Sequence, residues 1–389
     1  MSTWRAVVAM IPLLLIPLAA YAQAPAAPRA TVTLSPMNER TVTVNNVEML
    51  QRDCIGRFQF GPREYAIQYR VRQDKTTGKI DVIEGAVGMP LPCSCNWYHS
   101  GFLFLYLNGQ DIALRPLSSM MVAESGDRAI LDMVWHHELA NVRLRFVGLP
   151  DHDCLFCEIT LEPKQEIKSL SLTLRCYPSF FTSFYKRVGA RRIQTPTALV
   201  EENKRQKLAP ADGWWALYYD EVFDVAKGEG EGPCAMLLLP DQPTEISYEP
   251  GGYAVNTVIT YPPSTRTLRL AFWDFKGETN AAALARLKET ADQVRGQLQT
   301  LDFTPQAVRD FDLAGLRTEV ERALQSDAVR KALGAKLDEV QEWVRQVEPA
   351  LQAEGGANAV EAQERLLQAQ AKYRDFIWEI RLAELLKDL

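Results

Sequence analysis

The residues best suited to acid-base work are four histidines, His99, His136, His137 and His152, all near the ends of expected strands. His136-His137-Glu138 follows Trp135 at an expected hairpin turn, where imidazole and carboxylate could give and take protons on a substrate held over a sheet. A solvated turn gathers the same residue types, so position alone nominates His99, His136, His137 and Glu138 as catalytic candidates.

Aromatic rings are the second resource. Trp97-Tyr98, Trp135, Trp214-Trp215, Tyr218-Tyr219 and the stretch opened by Tyr177 offer flat faces on which sugars stack. Large rings are equally good core material. Adjacent pairs stand out because two neighbours on a regular strand cannot both point inward. Arg191-Arg192, with Lys186-Arg187 across Gly189, form a basic turn able to grip an acidic sugar or another anion through bidentate contacts. Trp97, Trp135, Trp214, Trp215, Arg191 and Arg192 are therefore the ligand-binding candidates.

His152-Asp153-Cys154 with Cys157 resembles half of a zinc site, and Cys93-Ser94-Cys95 could be offered as the other half. Residues three apart on a strand face opposite sides, and Cys157 falls with Leu155, Ile159 and Leu161 on a core face. No metal and no cofactor is expected. The chain carries no Gly-x-Ser-x-Gly elbow, phosphate-cradling loop, His-Glu-x-x-His helix or dinucleotide fingerprint, which sets those classes aside.

The elements that must position these residues begin with an export signal. Arg5 supplies a positive start, Val7 to Leu18 an apolar run, and Ala20-Tyr21-Ala22 the small residues a signal peptidase reads. Residues 1–22 are expected to be removed and 23–30, rich in Ala and Pro, to form a flexible leader. The apolar run is shorter than the ~20 residues of a membrane-spanning helix, so a soluble periplasmic or secreted protein is expected. Export makes disulfides chemically possible, but seven cysteines leave at least one unpaired, so the expectation is buried thiols with at most a few bonds. A net charge of -6 without a concentrated basic face argues against a nucleic-acid partner.

From Thr31 to Phe275 short apolar runs alternate with period two between turn residues, the pattern of a large antiparallel sandwich over residues 31–276. Asn108-Gly109 suits a type I′ turn joining Phe102–Leu107 to Asp111–Leu114. Tyr65–Arg72 with Lys79–Ile83, and Ile130–Trp135 with Val142–Phe146, read as further hairpins. In Leu155–Leu161, Leu155, Cys157, Ile159 and Leu161 mark a core face, and Phe156, Glu158 and Thr160 a wet one. After Gly277 the composition turns to Ala, Leu, Glu, Gln, Lys and Arg with apolar spacings of three and four, so residues 277–389 read as a helical bundle or hairpin. The helices are expected to pack on themselves or on the sandwich, with a protein-partner surface as the competing use.

The long strands from Val42 to Phe275, with Asn96-Trp97-Tyr98-His99 ahead of a strand and Trp135-His136-His137 at a turn, resemble the supersandwich of galactose-mutarotase-like proteins. The family's catalytic His and Glu have no matching motif here, so the resemblance implies a mainly β fold and a carbohydrate ligand rather than epimerase activity. The leading expectation is an exported, non-catalytic protein whose sandwich binds a glycan or cell-envelope component. The alternatives are a carbohydrate-active enzyme (mutarotase-, lyase- or hydrolase-like) using His136 or His137 with Glu138, and a structural or interaction protein.

Overall fold

The period-two runs become strands because each apolar face finds a second sheet to cover it. The computed structural model describes residues 29–82, 84–178, 189–222, 232–352, 356, 359–373 and 375–386. The expected signal peptide, most of the expected leader and Lys186-Arg187 lie outside them.

The larger sheet has twelve strands. Its path is β1 (Thr31–Leu34), β3 (Val47–Phe60), β4 (Arg63–Asp74), β6 (Val87–Leu91), β7 (Leu103–Leu107), β13 (Leu170–Cys176), β20 (Val255–Tyr261), β19 (Glu245–Pro250) and β16 (Gln206–Leu208). Beside it, β2 (Asn38–Val44) pairs with β3, β5 (Ile80–Asp81) with β4, and β8 (Gln110–Asp111) with β7. The smaller sheet runs β15 (Leu199–Glu201), β14 (Arg191–Gln194), β17 (Trp215–Asp220), β18 (Cys234–Leu238), β21 (Thr267–Asp274), β12 (Leu155–Pro163), β11 (Ala140–Gly148), β10 (Ala129–His136) and β9 (Ser119–Glu124). Every described pairing along these paths is antiparallel, giving the large antiparallel sandwich with helices after it.

Local chemistry sets individual features. Asn108 and Gly109 take φ of 51° and 77°, as a type I′ turn requires, and Leu107 pairs with Gln110 across it. The strand expected to continue to Leu114 stops short, because the Asp111 side chain accepts from the Ala113 amide at 2.9 Å and starts a 3₁₀ turn over Ile112–Leu114. Where the sheets approach, Gly56 is required: a Cβ there would lie 2.5 Å from Leu131 Cδ2.

Besides a four-residue helix at Pro210–Gly213 between β16 and β17, the helices that follow the sandwich are α1 (Asn280–Thr300), α2 (Gln306–Arg309), α3 (Leu313–Leu324), α4 (Asp327–Gln352), α5 (Val360–Tyr373) and α6 (Phe376–Leu385). Thr279 caps α1, its hydroxyl accepting from the Ala282 amide at 3.2 Å. Helix α1 lies on β17, β18 and β21, and α5 lies on β11 and β12. This corrects one expectation: the second face of β12 is not wet, since Phe156 and Glu158 are buried beneath helical segments. The polar residues of that covered face pair with one another. Arg145 grips Asp132 at 2.6 and 2.5 Å and donates to the Phe303 carbonyl at 3.0 Å and to Gln363 Oε1 at 2.9 Å. Arg143 reaches Gln363 at 2.6 Å and Thr160 at 3.0 Å, while Glu158 takes Arg269 at 2.9 Å. Among the described residues no helix is long and apolar enough to cross a membrane.

Candidate functional site

Alternation along β10 sends Leu131, Met133 and Trp135 toward the larger sheet and Asp132 and His136 toward the helices. His136 therefore meets α5. Its Nδ1 lies 2.7 Å from Asn141 Oδ1 and its Nε2 lies 2.7 Å from Glu364 Oε2. Glu364 also accepts from Ser118 at 3.0 Å and from Ser119, and Asn141 donates to Glu162 at 3.0 Å. The carboxylate serving His136 thus comes from a helix 228 residues away rather than from Glu138. His137 turns inward and its Nδ1 accepts from the Leu139 amide at 3.1 Å, with burial pushing its pKa below 6.5. Glu138 is tied to Arg115 at 2.7 Å, and the hydrogen bond from that guanidinium brings its pKa down to about 2. His99 belongs to another loop, its Nδ1 donating to the Ser94 carbonyl at 2.9 Å. Of the acid-base set proposed from sequence, His137 and Glu138 stay neighbours, Nε2 to Oε2 3.7 Å, while His136 with Glu364 lines a cavity of about 450 Å³ and His99 lies apart from both.

The tryptophans also need correcting as an exposed platform. Trp97 and Trp135 are 1% and 0% exposed, and Trp214 and Trp215 are 8% and 5%. Trp97 is enclosed by Phe102, Tyr218 and Phe272, with centroids 6.1, 5.5 and 5.2 Å away. Trp135 meets Tyr69 edge-on at 6.3 Å. Trp214 sits under the Arg295 guanidinium of α1 at 4.5 Å. Flat, low-polarity rings of this size gain most by filling the space between sheets and under helices. Of the arginines, Arg192 pairs with Glu221 at 2.6 Å, and buried Arg191 donates through Nη1 to the Gly252 carbonyl, while its Nε and Nη2 are buried without a hydrogen-bond partner among the described residues.

The pair Trp97-Tyr98 lies in a loop rather than on a strand, and both rings are buried, Trp97 in the main core and Tyr98 in a separate small cluster. Tyr98 joins Tyr177, centroids 4.4 Å apart, and Tyr177 joins Tyr253 at 5.0 Å. The His99 ring lies 4.5 Å from Tyr98. Tyr98 and Tyr177 are buried and Tyr253, 51% exposed, presents the cluster to solvent. Three segments assemble it: the Cys93–Gly101 loop, the end of β13, and the Gly251–Ala254 turn between β19 and β20. Gly88 lets the first of these lie close, since a Cβ there would fall 1.9 Å from the His99 carbonyl oxygen. Arg191, through Gly252, holds the third.

Polar groups ring the tyrosines. Arg175 donates to Asn256 Oδ1 at 3.1 Å and to the Glu84 carbonyl at 3.3 Å, and its guanidinium covers Phe104 at 4.8 Å. Arg205 meets Glu249 at 3.0 Å beside an open groove of about 290 Å³ lined also by Asn203, Lys204, Gly251 and Asn256. Burial, reinforced by Glu84 at Tyr98 and by Tyr253 at Tyr177, pushes both buried phenols well above their ordinary pKa, so they remain protonated donors. Sequence reasoning reached Tyr98, His99 and Tyr177 but missed Tyr253, Arg175, Asn256 and Glu84. The available signals were an aromatic directly after Gly251-Gly252 at a turn, and Arg175 on the wet face of β13. Among the described residues no three or more His, Cys, Asp or Glu side chains are grouped to hold a metal ion, and the His152 ring rests against Phe156 at 5.5 Å.

No protein-family model matches the chain, and no curated protein matches it. Solved structures do, among them domains of glycoside hydrolases. An α-galactosidase of glycoside hydrolase family 36 from Geobacillus stearothermophilus aligns over 56% of this chain and 40% of its own, with 11% identity and a TM-score of 0.31. An α-N-acetylgalactosaminidase from Bifidobacterium bifidum aligns over 67% and 39%, with 11% identity and a TM-score of 0.38. A glycosyl hydrolase family 38 protein from Enterococcus faecalis aligns over 70% and 41%, with 9% identity and a TM-score of 0.35. The chain spans about two fifths of the length of each of these structures.

Proposed function

We propose that this protein binds a glycan or a glycan-bearing envelope component through the tyrosine patch of its larger sheet, without catalysing a reaction on it. The observation that carries the reading is Tyr253, an exposed ring backed by two buried ones. A sugar offers an apolar face and a fringe of hydroxyls, and the patch offers a ring face edged by carboxylate, guanidinium and amide groups that fix orientation. The engagement of Glu138 by Arg115 and of His99 by the Ser94 carbonyl supports binding over an acid-base set made of the four candidates together. Export through the expected signal peptide, and with it a periplasmic or extracellular site of action, belongs to the same proposal, as does the kinship with mutarotase-like sandwiches.

The test is a glycan-array screen of the purified protein beside Tyr253→Ala. Binding by the parent that is lost or sharply reduced in the folded variant supports the reading; no binding by the parent, or equal binding by both, overturns it. A second reading rests on α6, where Trp378, 68% exposed, with Leu382 and Leu385 forms an apolar stripe at spacings of four and three. It makes the helical end a contact surface for another protein, checked by whether Trp378→Ser changes the molar mass measured by light scattering.

A further inference from the structure

Cys93 and Cys95 flank exposed Ser94 in the loop that leads to Tyr98. Their sulfurs lie 3.2 Å apart inside a small buried cluster with Tyr98 and Tyr177. A disulfide spans about 2.05 Å, so bonding requires a closure of roughly 1 Å, within reach of small side-chain rotations in a turn. The remaining cysteines sit in the main core. Cys54 faces the Met120 sulfur at 3.3 Å, burial pushes the thiols of Cys154 and Cys157 well up, and burial followed by a hydrogen bond with Cys176 does the same at Cys234. Cys93 and Cys95 are buried as well, so the 3.2 Å approach of their sulfurs carries the pairing.

We propose that Cys93 and Cys95 close an intrachain disulfide that braces the floor of the tyrosine patch. One thiol loses its proton and attacks a disulfide oxidant, releasing one thiolate; the second displaces the other thiolate from the mixed disulfide. The two cysteines together give up two electrons and two protons, and the oxidant becomes two thiols. The bond fixes the loop at the point where it matters for the patch. The carbonyls of Cys95 and Asn96 both accept from the Tyr177 amide at 3.1 Å, and Asn96 donates to Asp274 at 3.1 Å. This inference stands apart from glycan binding, since the bond can form whether or not a sugar is recognised.

The full chain, purified reduced, is equilibrated with oxidised glutathione, unfolded, capped with N-ethylmaleimide and digested with trypsin. The peptide Ile80–Arg128, uncut at Arg115 because proline follows it, holds both cysteines and no other. The expected result is this peptide unlabelled and two hydrogens lighter than its dithiol form, with Cys54, Cys154 and Cys157 labelled. In Cys95→Ser, Cys93 is expected to take the label. Full labelling of Ile80–Arg128 in the parent, or a bond from Cys93 or Cys95 to any other peptide, overturns the proposal.

Discussion

Replacing Asp132 by alanine leaves Arg145 buried beneath α5 without its carboxylate. Arg145 is 1% exposed and loses both arms of its bidentate contact, keeping only the Phe303 carbonyl and Gln363. Breaking a buried pair by deleting one partner costs about 3–5 kcal/mol, and the two neutral acceptors that remain place this case near about 3 kcal/mol. Arg143 adds to the cost. Its pKa is already lowered to about 10, by burial and then by the neighbouring Arg145 charge, and Asp132 is one of the carboxylates that offset this. With a urea m-value of about 3 kcal/mol/M, the unfolding midpoint is expected to fall by about 1 M. Replacing both residues by leucine removes the stranded charge and is expected to return stability to within about 1 kcal/mol of the parent. The assay is urea unfolding followed by tryptophan fluorescence and circular dichroism. A loss below about 1 kcal/mol for Asp132→Ala, or a double variant as damaged as the single, refutes the reasoning that this pair is a desolvated unit under the helices.

Further outcomes follow from the same geometry. Tyr253→Ala, at an exposed turn, is expected to change stability by less than about 0.5 kcal/mol; loss of ring stacking weakens glycan binding by about 1 kcal/mol, roughly fivefold, in calorimetric titration. Gly88→Ala drives a Cβ into the His99 carbonyl and is expected to cost about 1–3 kcal/mol, because the obstacle is backbone, with exchange protection of the Trp97–Gly101 amides falling in parallel. Burial holds the His137 pKa below 6.5, so its neutral form suits the folded state. In the unfolded chain the ring takes up a proton near 6.5, so stability is whole above that pH and is lost as pH falls from 6.5 toward the depressed folded value. His137→Asn is expected to flatten that slope in part, since His152 is shifted in the same direction by burial.

What could be read from the sequence was local. The Asn108-Gly109 turn, the hairpin of Ile130–Trp135 with Val142–Phe146 and the switch to helical composition after Gly277 each depend on residues close in the chain, and the structure has the corresponding turn, hairpin and helices. What depends on distant segments was not readable. The face bearing Phe156, Glu158 and Thr160 looks like a solvent face until α5 is laid over β11 and β12; Phe156 was the one hint that it needed cover. His136 found its carboxylate in Glu364, and no spacing within Trp135–Glu138 could indicate that. Likewise Tyr98, Tyr177 and Tyr253 become one surface only because the strand order sets β13 beside β20 and folds the Cys93–Gly101 loop against them.

The most direct measurement is hydrogen-deuterium exchange with and without the tightest ligand from the glycan array. Protection gathered at 93–101, 175–178 and 250–256, with 135–141 unchanged, is the result this account predicts. Protection centred on 135–141, or none at the tyrosine segments at saturating ligand, contradicts it.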